Sequence, residues 1–152
     1  MTDVTSDTIA AVSNHAKVDY PAECCGIVVG SSSTQQVYRC RNLQDELHGQ
    51  DPETHPRTSR EAYALDRREL DMILKGAAAR GEKVIAFYHS HIDCGAYFSA
   101  MDKEVQTVFG EPEFPDALHL VVSVYEGQVS EIRGFLWNAE KQDFIALPAA
   151  LQ

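Results

Sequence analysis

The chain has 152 residues, 44% hydrophobic and 24% charged, which is enough for one domain over residues 1–152 with a real core. A net charge of -10 and a pI near 4.9 argue against a nucleic-acid partner, whose binders carry a basic face. No stretch approaches the ~20 apolar residues of a membrane span, the first twenty residues lack the basic start and apolar run of a secretory signal, and the cysteines at 24, 25, 40 and 94 form no CxxC or dense framework, so a cytoplasmic protein with reduced thiols and no membrane partner is expected.

In chain order, residues 7 to 17 have a helical pattern, with Ile9, Val12 and Ala16 on one face and Asp7 placed to cap the start. Cys25 to Val29 is a short apolar strand punctuated by Gly26 and Gly30, and Gln36 to Cys40 is a second strand after a polar turn. Residues 44 to 60 are polar, contain Pro52 and Pro56, and are expected to form the longest loop, whose Glu46, Asp51 and Glu53 either offer an acidic surface to a partner or are simply solvated. Tyr63 to Leu65 resumes a strand. Asp66 then caps a helix reaching about Arg80, with Glu69 completing a capping box, Leu70, Ile73, Leu74 and Ala77 facing the core, and Gly81 ending it. Val84 to Tyr88 is a buried strand. Leu118 to Tyr125 and Gln128 to Trp137 form a hairpin turned at Glu126-Gly127, and Phe144 to Leu147 is a last apolar segment. The pattern is a mixed α/β layer structure.

The chemistry concentrates in residues 89 to 102, HSHIDCGAYFSAMD. On a strand, alternate side chains share a face, so His89 and His91 point together at the strand's end while Ser90 faces away. Two imidazoles plus one carboxylate make a three-ligand catalytic zinc site with a position left for water, and Asp102 is the carboxylate that the following segment delivers. Each feature also has a plainer reading. A histidine pair can simply be exposed or hydrogen-bonded, and Ser99-x-x-Asp102 is equally the start of a capped helix through Lys103, Glu104 and Val105. The two readings of Ser99 are compatible, because a cap there can aim Asp102 at the histidines.

His89-Ser90-His91, seven residues, Ser99, two residues and Asp102 resemble the core motif of the JAMM metallopeptidases, also called MPN-plus domains. The segment from Tyr20 to Gly30, with Glu23 just before an apolar strand, is similar to the family's early segment, and the resemblance runs from about residue 8 to about residue 137. It implies an α+β fold with a mixed, mainly antiparallel sheet flanked by helices, broadly like the cytidine deaminases. It also implies zinc held by His89, His91 and Asp102, Glu23 as the base that handles the water proton, and Ser99 as a donor to the tetrahedral oxyanion. The activity implied is peptidase or isopeptidase cleavage after the Gly-Gly tail of a ubiquitin-like or sulfur-carrier protein. Self-association as a homodimer occurs in some relatives. The chain departs from the pattern where family members carry proline after the second histidine and before the serine. Here those positions are Ile92 and Phe98, so the loop between them is expected to adjust on substrate binding, with Tyr97 and Phe98 contacting the incoming tail, the other reading of Phe98 being a core residue.

Asp93 is a rival carboxylate, but Asp102 matches the family spacing. Cys94 reads as a small loop thiol, Cys24 and Cys25 pack into the first strand, and His15, His48, His55 and His119 receive no role, with His119 a satisfied core or edge residue. Two other function classes were weighed. A noncatalytic MPN-type scaffold for a ubiquitin-like partner is disfavoured by the joint presence of Glu23, His89, His91, Ser99 and Asp102. A zinc deaminase needs HxE followed by PCxxC, and neither string occurs.

Overall fold

The computed structural model describes residues 3–148 and Leu151. A helix, α1 (Ser6–Asp19), leads into β1 (Cys25–Gly30) and β2 (Gln35–Cys40); α2 (Gln44–Gln50) and α3 (Arg67–Ala79) follow; then β3 (Lys83–Ile92), α4 (Ala100–Gln106), the two-residue strands β4 (Thr107–Val108) and β5 (Glu111–Pro112), β6 (Leu118–Tyr125), β7 (Gln128–Asn138) and β8 (Asp143–Ala146). The main sheet has the order β2-β1-β3-β6-β7-β8, and only the β3–β6 pair is parallel. The expected mixed, mainly antiparallel sheet flanked by helices is therefore the observed architecture. Among the described residues, no helix is long and apolar enough to cross a membrane.

Strand alternation sorts the core into two faces. On one, Ile9, Val12 and Ala16 of α1 cover Val28, Tyr88, Leu120 and Val122. On the other, Leu70 and Ala77 of α3 cover Cys25, Ile27, Val29 and Phe87. Buried on both faces, β1, β3 and β6 read as near-continuous apolar runs. Gly26 is required by the first face: a Cβ there would sit 2.3 Å from the ring of Tyr88, whose hydroxyl contacts His15 Nδ1 at 2.6 Å.

Several local expectations are corrected. Thr5, not Asp7, caps α1, accepting from the Thr8 N–H. Asp66 does cap α3, but Glu69 closes no capping box with it and instead accepts from the Arg41 N–H at 2.8 Å. Tyr63 to Leu65 is not a strand; its one bridge joins Leu65 to Asn42. The polar stretch after residue 44 is not all loop, because it contains α2. That helix is anchored by tertiary contacts rather than by an apolar face. Asn42 Oδ1 accepts from the Gln44 N–H at 3.0 Å, and the buried Gln44 side chain donates to the Arg57 carbonyl at 2.9 Å. Glu46 is engaged by Arg41, and Asp51 accepts from Thr54.

Candidate metal centre

The centre of the sheet delivers both histidines. Strand β3 runs through His89 and His91 to Ile92, flanked by β1 and β6, with His89 opposite Cys25 on one side and Val121 on the other. The strand period turns His89 and His91 to the α3 side. Ser90 faces the other way, where its Oγ accepts from the Cys24 N–H at 2.8 Å. Asp102 arrives from the first turn of α4. Ser99 caps that helix in a reciprocal box: its Oγ accepts from the Asp102 N–H at 3.1 Å, and Asp102 Oδ2 accepts from the Ser99 N–H at 2.9 Å.

The result is a compact triangle of donor atoms. His89 Nε2 and His91 Nε2 are 3.3 Å apart, and each lies 3.1 Å from Asp102 Oδ2. Ligand atoms about 2.0–2.2 Å from a common tetrahedral centre are about 3.3–3.6 Å from one another, so the triangle is a few tenths of an ångström tighter than the spacing a cation needs. The tautomer points the same way. His91 Nδ1 lies 2.9 Å from the Gly95 carbonyl, which can only accept, so Nδ1 carries the proton. In the neutral ring this leaves the Nε2 lone pair facing a carboxylate oxygen, an arrangement that a cation between them satisfies. His89 stacks on Tyr63 at 4.4 Å, and the Tyr63 hydroxyl accepts from Gln106 Nε2 at 3.2 Å.

Burial lowers the pKa of His89, the proximity of Asp102 opposing it only in part, so the imidazole is held neutral. For Asp102, burial pushes up, but His89, His91 and the Ser99 N–H together hold the carboxyl well below the usual carboxylate range. Two imidazoles and one carboxylate form a donor set that can hold a divalent metal ion.

Glu23 lies on the wall of the same cleft, a space of about 430 Å³ that His91, Ser99 and Asp102 also line. Its backbone is clamped on both sides: the Glu23 N–H donates to the Ser59 carbonyl at 2.7 Å, and its carbonyl accepts from Asn42 Nδ2 at 3.0 Å. The side chain is 5% exposed, and Oε1 has no hydrogen-bond partner. Burial, then the charges of Asp102 and Glu61, push its pKa up to about 9. A buried carboxyl oxygen without a partner calls for an explanation, and a role in proton transfer is one.

The remaining predicted residues divide. Tyr97 lines the cleft, is 54% exposed and meets His91 edge-on at 4.7 Å. Phe98 does not line it. It packs inward against Phe144 at 4.6 Å and Phe135 at 5.4 Å, completing the apolar cluster under β7 and β8. Ile92 is buried in β3 opposite Val124, and the following turn is pinned by the Asp93 N–H to the Val124 carbonyl at 2.8 Å and by Ser123 Oγ to the Cys94 carbonyl, so the expected adjustable loop is tied to β6. Asp93 faces away from the triangle, accepting from Tyr20, Arg60 and the Glu126 N–H. Cys94 lines the cleft but is outside the triangle. Cys24 and Cys25 are buried as expected. His119 is buried but not satisfied: its Nε2 has no partner among Phe87, Phe98 and Phe144, and burial holds its pKa to about 3. Tyr63, the Gly95 carbonyl and two cleft arginines, Arg57 and Arg60, were not singled out from the sequence.

Residues 5–133 match the family model Prok-JAB, described as prokaryotic homologs of the JAB domain. The chain is 36% identical over 96 residues to tail tip assembly protein K of Escherichia phage N15, a match covering 63% of this chain but only 32% of that protein. It is 26% identical over 132 residues to the CysO-cysteine peptidase of Mycobacterium tuberculosis, covering 87% of this chain and 80% of that one. It is 30% identical over 105 residues to the desampylase of Haloferax volcanii, covering 66% and 69% respectively. A solution structure of a protein from Desulfitobacterium hafniense superimposes with a TM-score of 0.68 over 97% of this chain and 90% of that one, at 22% identity, and so shares the fold.

Proposed function

Because this chain belongs to the family of prokaryotic homologs of the JAB domain, we propose that it is a zinc-dependent peptidase of the JAMM type. It acts as one catalytic domain in the cytoplasm, on the bond that follows the Gly-Gly tail of a ubiquitin-like or sulfur-carrier protein. The relatives named CysO-cysteine peptidase and desampylase support that class of chemistry. The observation that carries the reading is the juxtaposition of the His89, His91 and Asp102 donor triangle with an unpartnered, buried Glu23 carboxyl on the same cleft.

His89 Nε2, His91 Nε2 and Asp102 Oδ2 would hold the metal. When bound, zinc polarises the scissile carbonyl and lowers the pKa of water to about 7. Glu23 takes the proton of the attacking water and passes it to the leaving nitrogen, so the C–N bond breaks with a neutral amine departing. Burial and the charges of Asp102 and Glu61 keep this carboxyl protonated in the metal-free protein, and a bound cation, opposing them, would favour the carboxylate that accepts the water proton. Ser99 Oγ already accepts the Asp102 N–H, which leaves its own hydroxyl proton free to donate to the tetrahedral oxyanion. Tyr97, exposed beside His91, supplies apolar contact to the tail. An extended Gly-Gly segment passes a narrow cleft because it carries no side chains. The test is zinc content and cleavage measured on the same samples of wild type and His89→Ala. The variant should lose both, and equal zinc in the two proteins would remove the metal assignment.

A further inference from the structure

We infer that Arg57, assisted by Arg60, binds the free α-carboxylate of the residue on the leaving side of the scissile bond, so that the preferred reaction releases a C-terminal amino acid rather than an isopeptide-linked protein. The inference rests on the peptidase reading above and narrows its substrate.

In a chain of 13 basic and 23 acidic residues, a cleft holding Glu23, Glu61 and Asp102 would be expected to repel anions. Yet Arg57 and Arg60 lie on its wall, the only lysine or arginine side chains among its described lining residues. The backbone that carries these two exposed side chains is held in place. The Asp45 carboxylate accepts from both the Ser59 N–H and Ser59 Oγ at 2.7 Å, and the buried Gln44 grips the Arg57 carbonyl at 2.9 Å. The Ser59 carbonyl in turn accepts the Glu23 N–H at 2.7 Å. The segment that carries both arginines is thus bonded to the backbone of the residue that serves the leaving nitrogen.

That connection decides which side of the substrate they meet. Glu23 delivers its proton to the departing amine, so the groups fixed beside Glu23 face the leaving residue. Its α-carbon is bonded to that nitrogen, and its carboxylate, when free, lies only one further bond away. Arg60 is already partly engaged by Asp93 at 3.4 Å. Among the described residues Arg57 forms no ion pair, and its guanidinium keeps its paired donors for an incoming carboxylate. An isopeptide-linked protein offers a continuing main chain and lysine stem at this position, with no carboxylate to match.

The test uses Glu23→Gln protein loaded with zinc, which is expected to bind without turnover. Peptides ending in Gly-Gly-Ala with a free carboxylate, the same peptide as its amide, and a Gly-Gly-Glu amide are titrated by calorimetry, beside cleavage of each by the wild type. The free acid should bind about tenfold tighter than either amide. Adding Arg57→Gln should bring acid and amide to equal affinity without weakening the amide, and Arg57→Lys should restore part of the preference. Equal binding of acid and amide before Arg57 is changed would overturn the inference. So would a preference that survives Arg57→Gln, or a Glu amide that binds as tightly as the free acid, which would place the bound carboxylate on a side chain. Cleavage of acid and amide at equal efficiency overturns the carboxylate site and leaves the peptidase standing, whereas failure of the zinc-loaded protein to bind or cleave any of the three removes both.

Discussion

Ser99 has an observed role as a helix cap and a proposed one as an oxyanion donor, and different substitutions separate them. As an N-cap it satisfies the Asp102 N–H; as a donor it would serve the oxyanion. Replacing an N-cap serine by alanine costs about 1 kcal/mol, whereas glycine, itself an acceptable N-cap, costs only a few tenths. Loss of one oxyanion donor costs about 2.7–4 kcal/mol of transition-state stabilisation, or roughly 10²–10³ in kcat. For a domain of this size the alanine cap loss shifts Tm by about 2–4 °C. The backbone Ser99 N–H to Asp102 Oδ2 bond at 2.9 Å does not involve the side chain, so the aim of Asp102 is kept in both variants. Ser99→Gly is therefore expected to melt within about 1 °C of wild type and to keep its zinc, yet to lose at least a hundredfold in kcat on a Gly-Gly-Ala peptide. Ser99→Ala should show the same kinetic loss with the lower Tm. The measurements are a thermal melt, metal content and steady-state kinetics on the three proteins. Activity in Ser99→Gly within threefold of wild type would reduce Ser99 to a cap and refute the donor role.

Glu23 has a folded-state pKa raised from 4.5 to about 9, so between those values the folded metal-free protein holds a proton the unfolded chain has lost, and stability falls as pH rises through that window. By pH 7.5 this amounts to at most on the order of 4 kcal/mol, and metal-free Glu23→Gln should lose that slope in urea titrations from pH 5 to 8.5; parallel wild-type and variant curves would contradict it. The neighbours Tyr97 and Phe98 should behave oppositely. Phe98→Ala is expected to cost about 2–4 kcal/mol of stability by opening the cluster with Phe135 and Phe144, while Tyr97→Ala costs under about 1 kcal/mol and raises KM for the tail, with denaturation and kinetics deciding between this pattern and its reverse.

The part of the site carried by one strand and the helix start after it was legible in the sequence. His89 and His91 share a face because of the strand period, and Ser99 and Asp102 form a capping box because of helix geometry, both of which are local. The approach of Glu23 was not local. It depends on β1 lying beside β3 in a register that sets Cys25 opposite His89, which no spacing within residues 20–30 reveals. Helix α2 was hidden because QDELHGQ carries one large apolar residue and is held by Asn42 and by Gln44 reaching Arg57. The same return of the chain brings Arg57 and Arg60 to the cleft, so a stretch that reads as a polar loop with an acidic surface supplies the site's cationic wall. The sequence offers Tyr97 and Phe98 alike as contacts for the tail and Phe98 also as core; the turn points the Tyr97 ring to the cleft and the Phe98 ring to the core.

On the proposed function, the histidine–aspartate triangle holds a metal ion with which Glu23 breaks the bond after a Gly-Gly tail. Mass spectrometry of a ubiquitin-like carrier extended past Gly-Gly by one alanine, after incubation with wild type or Glu23→Gln whose zinc has been quantified, tests it most directly. One zinc per chain is expected in both proteins, with loss of the single alanine by wild type and an intact carrier with the variant. A zinc-loaded wild type that leaves the extension in place, or a Glu23→Gln protein that removes it, would rule this chemistry out.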